Sequence, residues 1–511
     1  MTRRRGSASW YAAPPAALLS AGLLVAAFPS VGQPWAAWVA LVPWLWMVRR
    51  MGTLGAFCWS WLLGLAFFLG SLAWLTEVTV AGWLALGAFL ALYFGAFGAL
   101  ARSVLSRSRP GAALVVLPAA WVALEYLRSH LLSGFGWNLL AYSQTPWLPI
   151  LQVADLAGAW GVSYLIAFVN VALALQRIGP RHGRGALLLA AGLVLASLGY
   201  GRARLAAAPD AAGTMRVAVL QGNVPQEEKW DDQHRGPIMA RYEALAREAA
   251  ATGPDLIVWP ETSMPGLFGE DEPLTRRVMA LGAALRVPML VGVPVSEPRP
   301  DGEALLNSAV LLGADGHALR RYDKLHLVPF GEFLPLGRFL PWLREALPPI
   351  GEFLAGADPT VFRIPGTSGA AFSVLICFED VFPQLAREFV RQGARALLVI
   401  TNDAWFGPTG AAYQHAQAST LRAVELRRPV ARAANTGWSG CIDPHGRWTA
   451  RVRDEAGREL FVPGTVTCEA PLTTGLTVYA AAGDWLPLIA LGICLAWLAG
   501  PNRKRKNPRS R

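Results

Sequence analysis

The chain has 511 residues, 53% of them hydrophobic and 16% charged, with a mean hydropathy of +0.34; these values exclude one water-soluble globular domain and point to a membrane protein. The formal net charge is +11, but the basic residues collect in short segments between apolar runs rather than in a stripe, which excludes nucleic acid as the partner. Cys58 and Cys494 lie in apolar runs and Cys377, Cys441 and Cys468 in more polar sequence, with no pair at metal-ligand spacing. No metal and no other cofactor is expected, and a Cys441–Cys468 bridge stays open.

A helix needs roughly 20 apolar residues to cross the bilayer core. Candidate spans run over 15–28, 34–48, 54–75, 81–101, 112–127, 158–175, 186–200 and 485–499, eight in all, with 131–154 amphipathic enough to lie along the interface or re-enter. Arg3 to Arg5, Arg49 with Arg50, Arg102 with Arg107 and Arg109, Arg177 with Arg181 and Arg184, and the tail from Arg503 fall on one side if the spans alternate. The opposite connections are nearly free of basic residues, so both termini are expected in the cytoplasm and residues 202–484 on the far side. Because the alternation continues through the later loops, the first span reads as an uncleaved helix rather than a signal peptide. The tryptophans near span ends, such as Trp35, Trp46 and Trp74, read as interfacial anchors. The predicted organisation is a membrane domain at 1–201, a linker at 202–214, an extramembrane domain at 215–475, and a last span with a basic tail at 476–511.

From Met215 short β-rich runs alternate with helical stretches. Strands are predicted at 216–221, 256–259, 289–293, 308–312, 372–377 and 396–401, with helices at 235–251, 273–285 and 383–392. This alternation predicts an α/β layered domain with partly parallel sheets, whose functional groups gather at strand ends. Glu261, Cys377, Asn402 and Asp403 stand at such ends. A thiol near its ordinary pKa of about 8.5 needs a neighbouring base or cation to act as a nucleophile; Glu261 offers the base and Lys324 the cation.

Val258-Trp259-Pro260-Glu261, Tyr322-Asp323-Lys324 and Leu375-Ile376-Cys377-Phe378-Glu379 resemble the three signature segments of the carbon–nitrogen hydrolase (nitrilase) superfamily. A fourth stretch, from Arg428 to Gly446, is similar to that family's late strand pair. The resemblance implies an αββα sandwich with a Glu-Lys-Cys triad. With seven spans before the domain and one after it, the chain resembles the membrane-embedded branch, the apolipoprotein N-acyltransferases. Gln221 to Trp230, Lys324 to Pro335 and Thr401 to Gly407 are closer to that branch than to soluble amidases.

This resemblance implies Glu261 as base, Lys324 as oxyanion stabiliser and Cys377 as nucleophile, with Trp230, Glu332 and Glu379 in support. Phe378 stands where the branch often has tyrosine, so packing is the role expected of it. The implied reaction moves an acyl chain from a phospholipid, typically the sn-1 chain of phosphatidylethanolamine, through a Cys377 thioester to the α-amine of a lipoprotein's diacylglyceryl-cysteine. That is the last step of lipoprotein maturation, at the bacterial inner membrane with the catalytic domain in the periplasm. A thioester must be kept from water, and Trp230, Phe330, Phe333, Leu334, Trp342, Trp405 and Phe406 are candidates for that work. A membrane-tethered amidase, a transporter and a non-catalytic lipid-binding module are the competing classes.

Overall fold

The computed structural model describes residues 7–107, 110–178, 180–299, 302–335, 352–365 and 370–500. The basic segments at 3–5 and 503–511, Arg109 and Trp342 lie outside the described residues. The N-terminal part is helical: α1 (Ser7–Ala26), α2 (Val42–Val48), α3 (Thr53–Ser71), α4 (Val80–Ser106), α5 (Pro110–His130), α6 (Leu148–Leu151), α7 (Ala154–Ile178) and α8 (Pro180–Ala206). Within α3, α4, α5, α7 and α8 the apolar stretch is long enough to cross a membrane. Shorter apolar stretches occupy α1, the segment Pro34–Val48 and a C-terminal helix at Trp485–Ala499.

One predicted span comes out differently. The stretch read as one span at 34–48 is a 3-10 turn, Pro34–Trp38, followed by α2. Pro43 in the first turn of α2 has no N–H to continue a helix through the break. Asn170 of α7 takes up the freed backbone groups, accepting from Leu41 N at 2.8 Å and donating to Ala37 O at 2.8 Å. Within the 131–154 stretch, read as lying along the interface or re-entering, are a buried 3-10 turn, Leu140–Gln144, and the short α6. Gln144 Nε2 holds it to Pro34 O (3.0 Å), and Gln152 Nε2 reaches His445 O (3.0 Å).

Among the described residues the following part contains twelve strands: β1 (Ala211–Gln221), β2 (Leu256–Val258), β3 (Met289–Arg299), β4 (Gly302–Leu312), β5 (Ala318–Asp323), β6 (Phe362–Arg363), β7 (Ala371–Ile376), β8 (Ala396–Thr401), β9 (Val430–Ala434), β10 (Gly440–Ile442), β11 (Trp448–Arg451) and β12 (Gly464–Thr473). They form two six-stranded sheets, ordered β12-β1-β2-β3-β4-β5 and β11-β10-β9-β8-β7-β6. Each has a parallel centre, β1-β2-β3 and β7-β8-β9, flanked by antiparallel neighbours. Alternation along the central strands sends Val217, Val219, Leu256, Val258 and Leu290 into the core shared with the second sheet. Ala218, Leu220, Ile257 and Val291 face outward onto α9 (Arg235–Ala250) and α10 (Glu272–Leu285). On the far side the second sheet is covered by α11 (Pro383–Arg391) and α12 (Ala411–Leu426), completing an αββα sandwich. A disulfide between Cys441 on β10 and Cys468 on β12 joins the two sheets.

α12 is the joint between sandwich and membrane helices. All its residues except Tyr413 are buried, so neither of its faces is left to solvent. Gln414 uses its whole amide across that joint: Nε2 donates to Pro29 O (2.6 Å) and Ser71 O (2.9 Å), while Oε1 accepts from Trp74 (3.0 Å) and Trp137 (2.8 Å). Glu425 Oε1 accepts from Ala159 N at 2.7 Å, where α7 is kinked by Gly158 (φ +66°) and restarts. A Cβ at Gly158 would lie 2.7 Å from the Tyr479 ring. Thus the loops near Ser30, Trp74 and Gln152 touch the sandwich. At the basic connections Arg177 instead lies over Trp46, and Arg107 over Trp497 of the C-terminal helix α13 (Trp485–Ala499), each at 4.4 Å.

Just past α12, Arg427 donates to Asp155 Oδ2 at 2.6 Å, and Asp155 also accepts from Tyr200 OH (2.7 Å) and pairs with Arg204 (3.1 Å). Asp155 is 2% exposed and Arg427 8%. Removing one partner of such a pair leaves an uncompensated buried charge. Asp155→Ala is therefore expected to cost about 3 kcal/mol or more, read as a lower melting temperature in detergent; an unchanged melting temperature would contradict this clamp.

Candidate active site

Three strand ends and one loop converge between the sheets. Glu261 follows β2 after Trp259 and Pro260, Lys324 follows β5, and Cys377 follows β7. Glu261 is 6% exposed and Lys324 1%. Glu261 Oε1 accepts from Asn307 Nδ2 (2.7 Å) and lies 3.7 Å from Lys324 Nζ; Oε2 accepts from Asn402 N (2.9 Å) at the end of β8. The carboxylate is thus fixed by one group from its own sheet and one from the other. Lys324 Nζ donates to Glu332 Oε1 at 2.8 Å, and Glu332 also accepts from Asn307 Nδ2 (2.9 Å) and Val328 N (2.8 Å). Asn307 therefore bridges the two carboxylates that flank the lysine.

Cys377 has φ +54°, a left-handed conformation that costs a side-chain-bearing residue energy and persists only where surroundings impose it. Two contacts impose it: Ile376 N donates to Glu379 Oε2 at 2.7 Å, and the Cys377 carbonyl is 3.2 Å from His415 Nε2. The sharp turn sets the thiol among Glu261, Lys324, Asp403 and Thr401.

The charges settle as a set. Burial, then the Glu261 charge, push the Cys377 thiol well above its usual range, against the pull of Lys324. Burial opposes the charged form of Lys324, but Glu332 and Glu261 outweigh it and hold the ammonium protonated. Burial also opposes ionisation of Glu332, yet Lys324 keeps that carboxyl below its ordinary value. At rest the site holds a neutral thiol beside an ammonium, and a thiolate forms there by giving its proton to a neighbour rather than to bulk water.

The other residues singled out from the sequence take separate positions. Glu379 is fully buried and accepts from Tyr322 OH (2.8 Å), Leu325 N (2.7 Å), His326 N (3.1 Å) and Ile376 N. Burial raises it to about 7, partly offset by those hydrogen bonds. It ties the Lys324 loop to the Cys377 turn rather than facing the sulfur. Phe378 is buried among Trp137, His326 and Phe382, the packing position expected of it. Trp230 is 48% exposed, so the buried position on that turn belongs to its neighbour Lys229. Phe330 and Trp405 are likewise exposed and Phe333 and Leu334 partly so, whereas Phe406 packs edge-on against Trp74 at 4.6 Å.

Asn307, His415 and the inward turn of Lys229 were not legible as site residues, since polar side chains on a strand, a helix and a loop carry no signal of their own. Asn402 and Asp403 were flagged only by their strand end. His415, 1% exposed, lies between Asp403 (Nδ1, 2.8 Å) and Asp380 (Nε2, 3.0 Å), and Arg432 completes the ring at 3.0 and 3.1 Å. Among the described residues no His, Cys, Asp and Glu group has the makeup of a metal site.

Comparison with known proteins agrees with this architecture. Residues 216–464 match the carbon-nitrogen hydrolase family, and residues 20–172 match the apolipoprotein N-acyltransferase N-terminal domain. An apolipoprotein N-acyltransferase from Geobacter metallireducens is 38% identical over 92% of this chain and 91% of its own length. One from Methylococcus capsulatus is 36% identical over 83% of this chain and 82% of its own. Among solved structures, an amidase from Nesterenkonia sp. AN1 aligns with 51% of this chain and 94% of its own at 19% identity and a TM-score of 0.37. The fold is that of a nitrilase-superfamily domain joined to long apolar helices. The chain belongs to the apolipoprotein N-acyltransferase family.

Burial lowers the affinity of His415 for a proton, but Asp380 and Asp403 outweigh it and raise its pKa from 6.5 to about 9. The folded state then binds the proton more tightly than the unfolded chain, so this stabilisation is complete below pH 6.5 and lost as pH rises through about 9. Melting temperature should fall across that window in the wild type, and His415→Asn should flatten the slope. Parallel slopes in the two proteins would contradict a protonated His415.

Proposed function

We propose that this protein transfers an acyl chain from a phospholipid to the α-amine of the diacylglyceryl-cysteine that begins a lipoprotein, with Cys377 as nucleophile, Glu261 as base and Lys324 as oxyanion stabiliser. The observation that carries the proposal is the spacing around one ammonium: Lys324 Nζ stands 3.7 Å from Glu261 and 2.8 Å from Glu332, beside a thiol on a strained turn. In the first step Glu261 takes the Cys377 proton and the sulfur attacks the ester carbonyl. Lys324 meets the oxyanion, and the C–O bond breaks as Glu261 returns the proton to the departing lysophospholipid. In the second step the lipoprotein amine attacks the thioester, Glu261 takes a proton from its nitrogen, and that proton goes back to the leaving sulfur. Glu332 keeps Lys324 aimed and charged, and Glu379 holds the two loops in register.

Membrane-held substrates fit the apolar surface that the sandwich leaves exposed. Trp230, Phe330, Leu354 and Trp405 present exposed apolar surface on the sandwich, and Phe406, next to Trp405, packs on Trp74 between two membrane helices. The periplasmic placement is supported by the basic residues at the opposite connections and by the Cys441–Cys468 disulfide, a bond that forms and persists in oxidising compartments.

Purified protein given phosphatidylethanolamine and a diacylglyceryl-cysteine peptide should add one acyl chain to the peptide's α-amine, read by mass spectrometry. Cys377→Ala should abolish transfer, and Glu261→Gln should slow it by about 100-fold or more. Transfer that persists in Cys377→Ala, or hydrolysis of small amides without any lipid transfer, would refute the assignment and favour a tethered amidase.

A further inference from the structure

Lys229 sits in a turn whose neighbours face outward: Glu227 and Trp230 are exposed and Glu228 is partly so. An ammonium there could reach water at little cost, yet Lys229 is 2% exposed. Its Nζ donates to the backbone carbonyl of Glu261 at 3.1 Å, and among the described residues it forms no ion pair. The turn is fixed, because Gln226 Oε1 accepts from Asn402 Nδ2 at 2.7 Å, and Asn402 N is the donor to Glu261 Oε2. A buried ammonium without a carboxylate of its own needs a function or a distant partner.

The charge count supplies one. At rest Glu261 and Glu332 carry two negative charges and Lys324 and Lys229 two positive ones. When the Cys377 proton moves to Glu261, Lys324 and Glu332 remain as a neutral pair at 2.8 Å. The new negative charge on sulfur is left with Lys229 as its unmatched cation.

We propose that Lys229 is a positioning residue for the acyl transfer, the counter-ion that makes the Cys377 thiolate accessible once Glu261 is protonated. The proposal rests on Cys377 being the nucleophile. Burial lowers the Lys229 pKa to about 8, against the pull of Glu261 and Cys377, so it is charged at neutral pH and loses that charge under mildly alkaline conditions. Besides Lys229, whose charge Cys377 and Glu261 both favour, the groups acting on Cys377 are Glu261, Lys324, Asp403 and Thr401; of these Lys324 stays protonated and Asp403 is held below its ordinary value by His415 and Arg432 despite burial.

The test is the rate of iodoacetamide alkylation at Cys377, resolved by peptide mass spectrometry on the detergent-purified full chain between pH 6.5 and 9.5. At pH 7 Lys229→Met and Lys229→Gln should both alkylate about tenfold or more slowly than wild type, and their rates should converge with it above about pH 9. Glutamine keeps a donor for Glu261 O without the charge, so it separates charge from hydrogen bonding. Lys229→Arg, which does not titrate, should stay fast at pH 7. Wild-type rates in both uncharged variants, or a fast Lys229→Gln beside a slow Lys229→Met, would overturn the proposal. Because alkylation needs no lipid, failure here is separate from failure of Cys377 to take up an acyl chain.

Discussion

Glu379 sets the distance on which the site depends. Its carboxylate is completely buried and takes donors from both sides of the reaction centre, Tyr322 and the backbone after Lys324 on one, Ile376 before Cys377 on the other. A buried carboxylate left short of donors is costly, so the loops that satisfy it are held together by that cost. The lysine and the cysteine come from different sheets, and neither sheet alone would place them. A residue two positions beyond the thiol thus does work usually credited to the residues that touch substrate.

Beneath the turn, the same logic extends into the membrane part. Asp380, Asp403, His415 and Arg432 form a closed ring of charges under Cys377, and His415 lies next to Gln414, whose amide is spent entirely on backbone and tryptophans of the membrane helices. From Cys377 to Ser71 the connection is a continuous chain of buried polar contacts through α12. The sandwich is therefore fixed against the helices rather than tethered to them.

Much of this was legible before any coordinates. The central strands read from their β-rich apolar runs, and Glu261 and Cys377 read from their place after such runs. The limits have physical causes. α12 shows no solvent-facing side, because all of it except Tyr413 is buried, polar residues such as Gln414, His415 and Glu425 included, so the pattern that reveals amphipathic helices is missing. Pro34–Val48 is apolar throughout and looks continuous, while the Asn170 side chain that makes its break tolerable is more than a hundred residues away. Lys229 stood in plain view beside Trp230, but no local pattern says that the lysine turns in and the tryptophan out; the cross-sheet bond from Asn402 to Gln226 decides it.

The central claim is that Cys377 carries the acyl chain between two substrates that never need to meet. Intact-mass spectrometry of the purified protein, incubated with phosphatidylethanolamine and no acceptor, tests it most directly. The account predicts a mass gain of one acyl chain that hydroxylamine removes and that Cys377→Ala lacks. An unmodified mass while lysophospholipid accumulates, or an adduct that survives in Cys377→Ala, would contradict it.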